Sequence, residues 1–359
     1  MMKNIIIFLF LIIFFNVSLF SAQNDELMDS IRDNNLERIK ILLRDGENLD
    51  LYNIKYGMSP LMYAAQLGNI DVVNELLDFG AKDFDFSFYI ACAEGYWDIA
   101  KQMMKAGASN YNIALSYAAL GGKLDIVEEL IKLGAKDINP ALVSACEGDN
   151  LEVVEYLIDR GANVNTRAYI EAYRNYEGAE KKSPLTAASN IDIIRELVNA
   201  GATNLNEAII YNAAMVSANF DGSYSKEIFN EYIDLGADVN SFNMGDGKTL
   251  LMYLIEKRQL DFDLIKKVIE LGADVNARDR NGNTVLIRAV MYEYESPVED
   301  HSLNKKVYRT IGTPINVIEE LLKAGANPKD RNSYGNTAYR LAAKNNREDI
   351  IKLFDEYSK

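Results

Sequence analysis

ELLDFGA, residues 75–81, decides the fold of this chain, because variants of the phrase recur along its 359 residues. In each copy, apolar residues at helical spacing precede a glycine. Glycine takes the left-handed conformation that ends a helix at no steric cost. The phrase therefore predicts a helix end at nine glycines: Gly46, Gly80, Gly107, Gly134, Gly161, Gly201, Gly236, Gly272 and Gly325.

Three successive units, from Gly80 to Gly161, each repeat after 27 residues, so equivalent positions align directly. An acid precedes the apolar pair that opens each second helix, where a carboxylate complements the positive end of the helix dipole. The acids are Asp71, Asp98, Asp125 and Glu152. Two further columns indicate packing between helices: small residues at Ala65, Cys92, Ala119 and Cys146, and apolar residues at Ile70, Trp97, Leu124 and Leu151.

These patterns predict an all-α fold built from one unit: a helix, a short polar turn, a second helix and Gly-Ala. A single unit cannot bury its apolar face, whereas stacked neighbours can, so the units are expected to form a solenoid.

The chain resembles the ankyrin-repeat family in the segments 59–81, 272–286 and 325–342. The second segment carries GADVN, a turn with Asp and Gly, and the Thr that opens the next helix. The resemblance covers nearly everything after residue 25 and implies an ankyrin-like α-solenoid of about ten helix-turn-helix repeats.

The chain departs from the family pattern in two respects. The TPLH tetrapeptide is never complete, and its His position is assigned to Met62, Thr186, Leu251, Ile287 and Arg340. The 27-residue units are also short between Gly-Ala and the next helix, where the family places a β-hairpin finger. Units ending at Gly107, Gly134 and Gly161 are therefore expected to have a tight loop there, as is the unit that follows Gly201.

The repeats are expected to form one solenoid over 23–359, preceded by a signal peptide at 1–22. Their predicted bounds are 23–46, 47–80, 81–107, 108–134, 135–161, 162–201, 202–236, 237–272, 273–325 and 326–359.

The signal peptide is predicted from Lys3, the apolar run Ile5–Phe15, and small residues ending at Ala22. These features indicate a protein exported from a bacterial cytoplasm to the periplasm or medium. The alternative is an uncleaved membrane anchor, because Ile5–Ala22 is marginally long enough to span a bilayer.

The net charge of −15 argues against nucleic-acid binding, which requires a basic face. The family resemblance implies a scaffold that holds a protein partner on a concave face of fingers and inner helices, without catalysis, cofactor, metal or small-molecule substrate. An alternative is the same scaffold directed at a host protein.

Residues for partner binding are predicted at finger tips and in an insertion, 166–183. They are Tyr169, Tyr173, Arg174 and Tyr176 in the insertion, and Phe242, Met244, Arg278, Arg280 and Tyr334 at tips, with Asn243, Asp279, Asn332 and Ser333 beside them. The three insertion tyrosines would share one helix face. They form either an aromatic patch for a partner or an extension of the core.

Little in the sequence indicates an enzyme. The only histidine, His301, lies in an insertion at 291–313 that is expected to be a mixed-charge surface loop. A metal-dependent protein that uses this insertion is the remaining alternative. Cys92 and Cys146 are two units apart in one column, too far for a disulfide, so both are expected to be buried free thiols.

Overall fold

The structure of the chain is a computed structural model that describes residues 24–53, 55–173, 180–218, 226–256, 260–300 and 305–357. Of these, 173, 215–218, 293–300 and 305–312 are described by their backbone alone. The predicted signal segment 1–22 lies outside the described residues, as do Arg174, Tyr176 and His301. The chain forms two units, Met1–Thr203 and Asn204–Lys359.

The first unit is a series of helix pairs. Its helices are α1 Asp25–Arg32, α2 Leu36–Arg44, α3 Pro60–Leu67, α4 Ile70–Asp78, α5 Phe84–Glu94, α6 Trp97–Ala106, α7 Tyr111–Leu120, α8 Leu124–Lys132, α9 Ile138–Glu147, α10 Leu151–Asp159, α11 Pro184–Ala187 and α12 Ile191–Asn199. One 3₁₀ turn, Glu171–Tyr173, lies between α10 and α11. The first helix of each pair contacts the first helix of the next pair, and second helices such as α4 and α6 likewise contact each other. Stacking of helix pairs, as predicted, therefore builds this unit.

The second unit repeats the arrangement. Its helices are α13 Leu205–Ala218, α14 Lys226–Asp234, α15 Leu250–Ile255, α16 Phe262–Glu270, α17 Val285–Met291, α18 Ile315–Lys323, α19 Ala338–Lys344 and α20 Glu348–Tyr357. Its strands are β1 Glu293–Asp300 and β2 Lys305–Gly312. The predicted ankyrin-like helical fold is confirmed in both units.

The Gly-Ala phrase closes the second helix of each pair. All nine glycines of the phrase have positive φ, for example +94° at Gly80. The amide of the following Ala81 then donates to the carbonyl of Leu76 at 3.0 Å, which is the hydrogen bond of a Schellman motif. Ala81 itself is buried. The phrase thus ends one helix and supplies a small core residue.

The units predicted to lack a finger do lack one. In these units, three residues connect the closing glycine of one second helix to the next first helix. The connections are 81–83, 108–110, 135–137 and 202–204. In three of these units the first helices, α5, α7 and α9, are buried over most of their length. Both cysteines lie in these helices, are free and are fully buried.

Five fingers precede first helices that a hydroxyl caps. The side chains of Ser59, Ser183, Thr249, Thr284 and Thr337 each accept a hydrogen bond from the amide three residues ahead. For Thr249 that amide belongs to Met252. The His position of the tetrapeptide, three residues after the capping Thr249, is therefore Met252. The assignment to Leu251 was wrong by one residue, because the capping hydroxyl sets the register of the motif.

Neighbouring repeats are joined by asparagines. Asn240 donates from Nδ2 to the carbonyl of Gly272 at 3.1 Å and accepts at Oδ1 from the amide of Asp274 at 2.7 Å. Asn165 and Asn276 make the same pair of bonds to their next repeats. The last residue of the GADVN phrase therefore links one helix end to the next.

The predicted columns have different environments. The small-residue column, Ala65, Cys92, Ala119 and Cys146, is fully buried. The apolar column at Ile70, Trp97, Leu124 and Leu151 is half-buried, because these residues open the second helices at the edge of the stack. The acids that follow them are exposed in the first helical turn, as their predicted role with the helix dipole requires.

The insertion at 291–313 is not the loop that was expected. β1 and β2 pair antiparallel, with Glu293 opposite Gly312 and Asp300 opposite Lys305. Glu299 stands in register with Lys306, and Asp300 with Lys305.

Candidate functional site

The candidate site is the finger row of the second unit. We use this name for the three fingers at 238–249, 274–284 and 327–337. The three hairpins close at Gly247, Gly282 and Gly335, where positive φ (+75°, +70° and +73°) permits a tight turn. Isolated bridges join Phe242 to Thr249 and Arg278 to Thr284. Each finger thus ends on the capping threonine of its first helix.

Short polar side chains shape the turns of the finger row. Asp279 accepts from the amides of Asn281 and Asn283, both at 2.8 Å. Asn332 accepts from the amides of Tyr334 and Asn336, at 3.0 and 2.9 Å. Both side chains are buried.

Asn243 has the same role in the first finger, where it accepts from the amide of Gly245. Asn243, Asp279 and Asn332, which were predicted among the variable partner-binding positions, therefore hold the turns of their fingers. Their contact with a partner stays a prediction. The recurrence of Asn or Asp at this point of each finger was the signal that sequence reasoning missed.

The fingers are hydrogen-bonded to one another. The amide of Arg280 donates to the carbonyl of Asp246 at 3.0 Å, and the amide of Ser333 donates to the carbonyl of Asn281 at 3.0 Å. Asn332 also donates to the side chain of Asn283 at 2.7 Å. The row is therefore a connected surface and not three independent loops.

Two predicted arginines make such connections. Arg278 forms an ion pair with Asp330 at 2.8 Å and donates to the carbonyl of Arg331 at 2.7 Å. The guanidinium of Arg280 donates to the carbonyl of Met244 in the preceding finger. The structure therefore gives both residues a positioning role, and their contact with a partner stays a prediction.

A series of ion pairs connects two of the fingers to α17. Arg288 on α17 donates to Asp279 at 2.8 Å and pairs with Glu256 at 3.1 Å. Glu256 also pairs with Lys248 of the first finger at 2.7 Å. These side chains are no more than 19% exposed. Asp279 is the best satisfied of them, with four hydrogen bonds from three residues.

Three predicted side chains project from the row into solvent. Phe242 is 56% exposed, Met244 76% and Tyr334 71%, and Met244 and Tyr334 exceed every other large apolar side chain that the structure describes. The hydroxyl of Tyr334 lies 3.4 Å from Oδ1 of Asn281 in the neighbouring finger. The structure thus places an apolar or aromatic group at each end of the row.

The insertion in the first unit has a different environment. Its ends pair through Ala168 and Lys182, and Lys182 forms an ion pair with Glu147 of α9 at 2.7 Å. The 3₁₀ turn contacts α7. The charge of Glu171 in that turn contributes, after burial and Asp85, to raising the pKa of Tyr89 on α5 to about 12. The described ends of the insertion therefore contact first helices that have no fingers of their own.

Tyr169 and Tyr173 of the predicted tyrosine stripe lie among the described residues. Tyr169 is half-buried, with the ammonium of Lys181 5.5 Å from its ring centre, and it precedes the 3₁₀ turn. Tyr169 and Tyr173 therefore do not belong to one helix, contrary to the helical spacing proposed for the stripe. Arg174 and Tyr176 lie outside the described residues.

In the part of the chain that the structure describes, no group of three His, Cys, Asp or Glu side chains is arranged to hold a metal ion. No helix there has both the length and the apolar content that a membrane crossing requires.

A comparison with known protein families identifies the repeat type. The family model for ankyrin repeats matches residues 9–87 and 88–168. Among solved structures, the human ASB11 ankyrin repeat domain is similar, with 19% identity, a TM-score of 0.36, and coverage of 63% of this chain and 89% of that one. No curated protein matches.

Proposed function

We propose, because the family model for ankyrin repeats matches residues 9–87 and 88–168, that the chain is a non-catalytic scaffold that holds a protein partner on the finger row of the second unit. Ankyrin repeats are generally protein–protein interaction scaffolds. We assign the partner to this surface because Phe242, Met244 and Tyr334 are exposed on fingers that are hydrogen-bonded to one another. Aromatic side chains and Met are enriched at protein interfaces.

Rigidity supports the same surface. Backbone hydrogen bonds join neighbouring fingers, and ion pairs of Arg288 connect the row to α17. The row is therefore ordered before a partner binds. A preorganised surface loses less conformational entropy on binding than a mobile loop does. The exposed apolar groups can therefore contribute to affinity without a large ordering cost.

The first unit offers less room for a partner. Its fingerless helices α7 and α9 already contact the insertion through the 3₁₀ turn and Lys182. This arrangement favours the interpretation that the insertion extends the core. The contribution of Tyr169 and Tyr173 to a partner surface stays a prediction that affinity measurements on Tyr169→Ala would check.

The test replaces the exposed apolar groups together. A variant with Phe242→Ser, Met244→Ser and Tyr334→Ser is used beside wild type to capture partners by cross-linking in the native cells, followed by mass spectrometry. We expect a specific protein with wild type and its loss with the variant. The control variant, Leu133→Ser with Leu271→Ser, removes exposed apolar groups at helix ends (46% and 50% exposed) away from the finger tips. Equal capture by the triple variant and wild type would refute the proposed surface.

We also propose that the protein is exported, on the basis of the segment 1–22. Intact-mass measurement of the protein from its native cells should then show a chain that begins at Gln23, in the periplasm or the medium. A full-length chain in the membrane fraction would instead support the anchor. Recovery of a host protein as the cross-linked partner would favour the host-directed alternative.

A further inference from the structure

The insertion at 166–183 is a finger with a longer tip than the others. Its ends pair at Ala168 and Lys182, directly before Ser183, which caps α11. In the finger row, the equivalent bridges enclose residues 243–248 and 279–283, whereas this bridge encloses residues 169–181. The additional length allows this finger to contact helices of earlier repeats.

Residues 169–173, which we call the turn segment, contact two of the fingerless repeats. The 3₁₀ turn at the end of the segment lies against α7, two repeats earlier in the chain. Burial is the main cause of the raised pKa of Tyr89 on α5, and the charge of Glu171 adds to that effect. Ile170 is buried at 4% exposed, and Tyr169 and Glu171 are half-buried. The turn segment therefore packs onto the first unit.

An aromatic surface lies beside the turn segment. Tyr89 on α5 and Tyr117 on α7 have ring centroids 5.4 Å apart, and Phe86 packs edge-on against Tyr89 with ring centroids 5.9 Å apart. Tyr89 and Tyr117 are 6% and 8% exposed, whereas Phe86 is 41% exposed. Aromatic side chains are enriched where proteins bind one another. The aromatic surface, formed by these three residues, thus has the composition of a binding site.

The repeat stack is complete without the turn segment. Helix α5 packs directly on α7 and α7 on α9, and the small-residue column in these helices is fully buried. Among the described side chains of the turn segment, only Ile170 is buried. Segments that bury few apolar side chains open at a lower free energy than the fold as a whole. The turn segment can therefore leave the aromatic surface while the stack remains folded.

Opening of the turn segment does not release it from the protein. Backbone hydrogen bonds of 3.0 and 2.9 Å join Ala168 to Lys182, and Lys182 pairs with Glu147 of α9 at 2.7 Å. A segment tethered in this way has an effective concentration on the order of millimolar at its own site. It therefore competes with any partner that binds the same surface.

We propose that the aromatic surface is a second binding site, which the turn segment occupies within the same chain and which a partner occupies by displacing that segment. The turn segment indicates the chemistry of the partner: a short stretch with an apolar residue between a tyrosine and an acid, as in Tyr169-Ile170-Glu171. The site belongs to the first unit and does not depend on the finger row.

The test uses a fluorescent synthetic peptide of residues 166–173 and the full-length protein. In a shortened variant, residues 169–181 are replaced by Asp-Arg-Asn-Gly-Asn, the sequence of the middle finger between its bridged residues. Fluorescence anisotropy should show that this variant binds the peptide about tenfold more tightly than wild type, because the competing segment is gone. A peptide with Ile170→Ser should bind neither protein.

Single substitutions test the same site with the insertion intact. Ile170→Ser in the protein removes the buried side chain of the turn segment and should also raise the affinity for the peptide, whether or not the shortened variant folds. Phe86→Ser, added to Ile170→Ser, should reverse that gain. Phe79→Ser is the matched control, because Phe79 is 37% exposed at the end of α4 and lies outside the aromatic surface. Far-UV circular dichroism and the urea midpoint establish that each variant is folded.

Three results would overturn the proposal. Equal peptide binding by wild type, the shortened variant and Ile170→Ser would show that the turn segment blocks no site. A gain in affinity that Phe86→Ser leaves unchanged would exclude the aromatic surface. Unfolding of Ile170→Ser would show that the turn segment is part of the core. The triple serine variant of the finger row should leave peptide binding unchanged, so the two proposed surfaces stand or fall separately.

Discussion

At the residue scale, glycine has two different functions in this stack. Gly134 has φ of +108°, and a Cβ there would meet nothing within 4 Å, so its requirement is conformational. Gly121 has an ordinary φ of −80°, but a Cβ there would lie 2.0 Å from the carbonyl oxygen of Ala93 in the preceding repeat. A Cβ at Gly148, one repeat later, would lie 2.1 Å from the carbonyl oxygen of Leu120. Close stacking and not helix termination therefore explains Gly121 and Gly148.

Gly121→Ala is expected to destabilise the protein by about 3 kcal/mol, because the added methyl requires the backbone of a neighbouring repeat to move. Gly134→Ala is expected to cost about 1 kcal/mol, the penalty for a left-handed alanine. Urea denaturation followed by circular dichroism compares the two midpoints. A larger loss for Gly134→Ala would show that the contact with Ala93 is not tight.

The cysteines test burial at the same scale. Burial raises the pKa of the Cys92 and Cys146 thiols. A thiol with a raised folded-state pKa stays protonated in the fold, so its contribution to stability is present below the unfolded pKa, about 8.5, and is lost as the pH rises above it.

We expect neither thiol to react with iodoacetamide in the native protein at pH 8, and both to react in urea. Stability to urea should also fall above about pH 9, since the unfolded chain then releases protons that the fold retains. Intact-mass measurement counts the adducts. An adduct formed under native conditions would show that one of these first helices opens readily.

At the element scale, the fingers depend on one buried carboxylate. Asp279 receives two turn amides, the side-chain amide of Asn283 and the guanidinium of Arg288. Asp274, in the same finger, is exposed and receives only the amide of Asn276, at 2.8 Å. Loss of Asp279 would therefore leave four hydrogen-bond donors without their acceptor, whereas loss of Asp274 would leave one.

Asp279→Ala is expected to destabilise the protein by about 3 kcal/mol, because Arg288 and two turn amides lose their acceptor away from solvent. Asp274→Ala should cost at most about 1 kcal/mol, since water can replace an exposed acceptor. Hydrogen exchange should show faster exchange of the 274–284 finger in Asp279→Ala alone. Similar exchange in both variants would mean that the charged groups beneath the row do not hold it.

At the scale of the whole molecule, each repeat within a unit packs mainly on the repeats before and after it in that unit. The three 27-residue units have the same connections, with each Gly-Ala leading directly into a buried first helix. A stack held by nearest-neighbour contacts can lose a complete repeat and remain a stack.

Deletion of residues 108–134 joins Gly107 to Ala135 and restores the Gly-Ala phrase. This shortened chain should remain helical and unfold cooperatively, with a lower urea midpoint because it has one fewer interface. Deletion of residues 108–127 joins Gly107 to Glu128 in the middle of α8 and should leave the chain largely unfolded. Equal loss of structure in both deletions, measured by circular dichroism, would contradict the repeat boundaries.

The sequence alone determined the repeat, the helix ends and the absence of certain fingers. Those features depend on backbone conformation at single residues such as Gly80, on local hydroxyl caps such as Thr284, and on spacings that recur. The hairpin at 293–312 and the course of the 166–183 insertion escaped sequence reasoning, because each occurs once and no second copy could be aligned with it.

Only the tertiary structure decided which finger side chains are paired, buried or exposed. Arg278 and Asp279 are adjacent in the chain, yet one is paired with Asp330 and the other is buried under Arg288. Met244 and Tyr334 remain exposed. These differences arise from contacts between fingers 36 to 53 residues apart, whose partners depend on how successive repeats align. Local sequence signals do not encode that alignment, because it results from the packing of whole helix pairs.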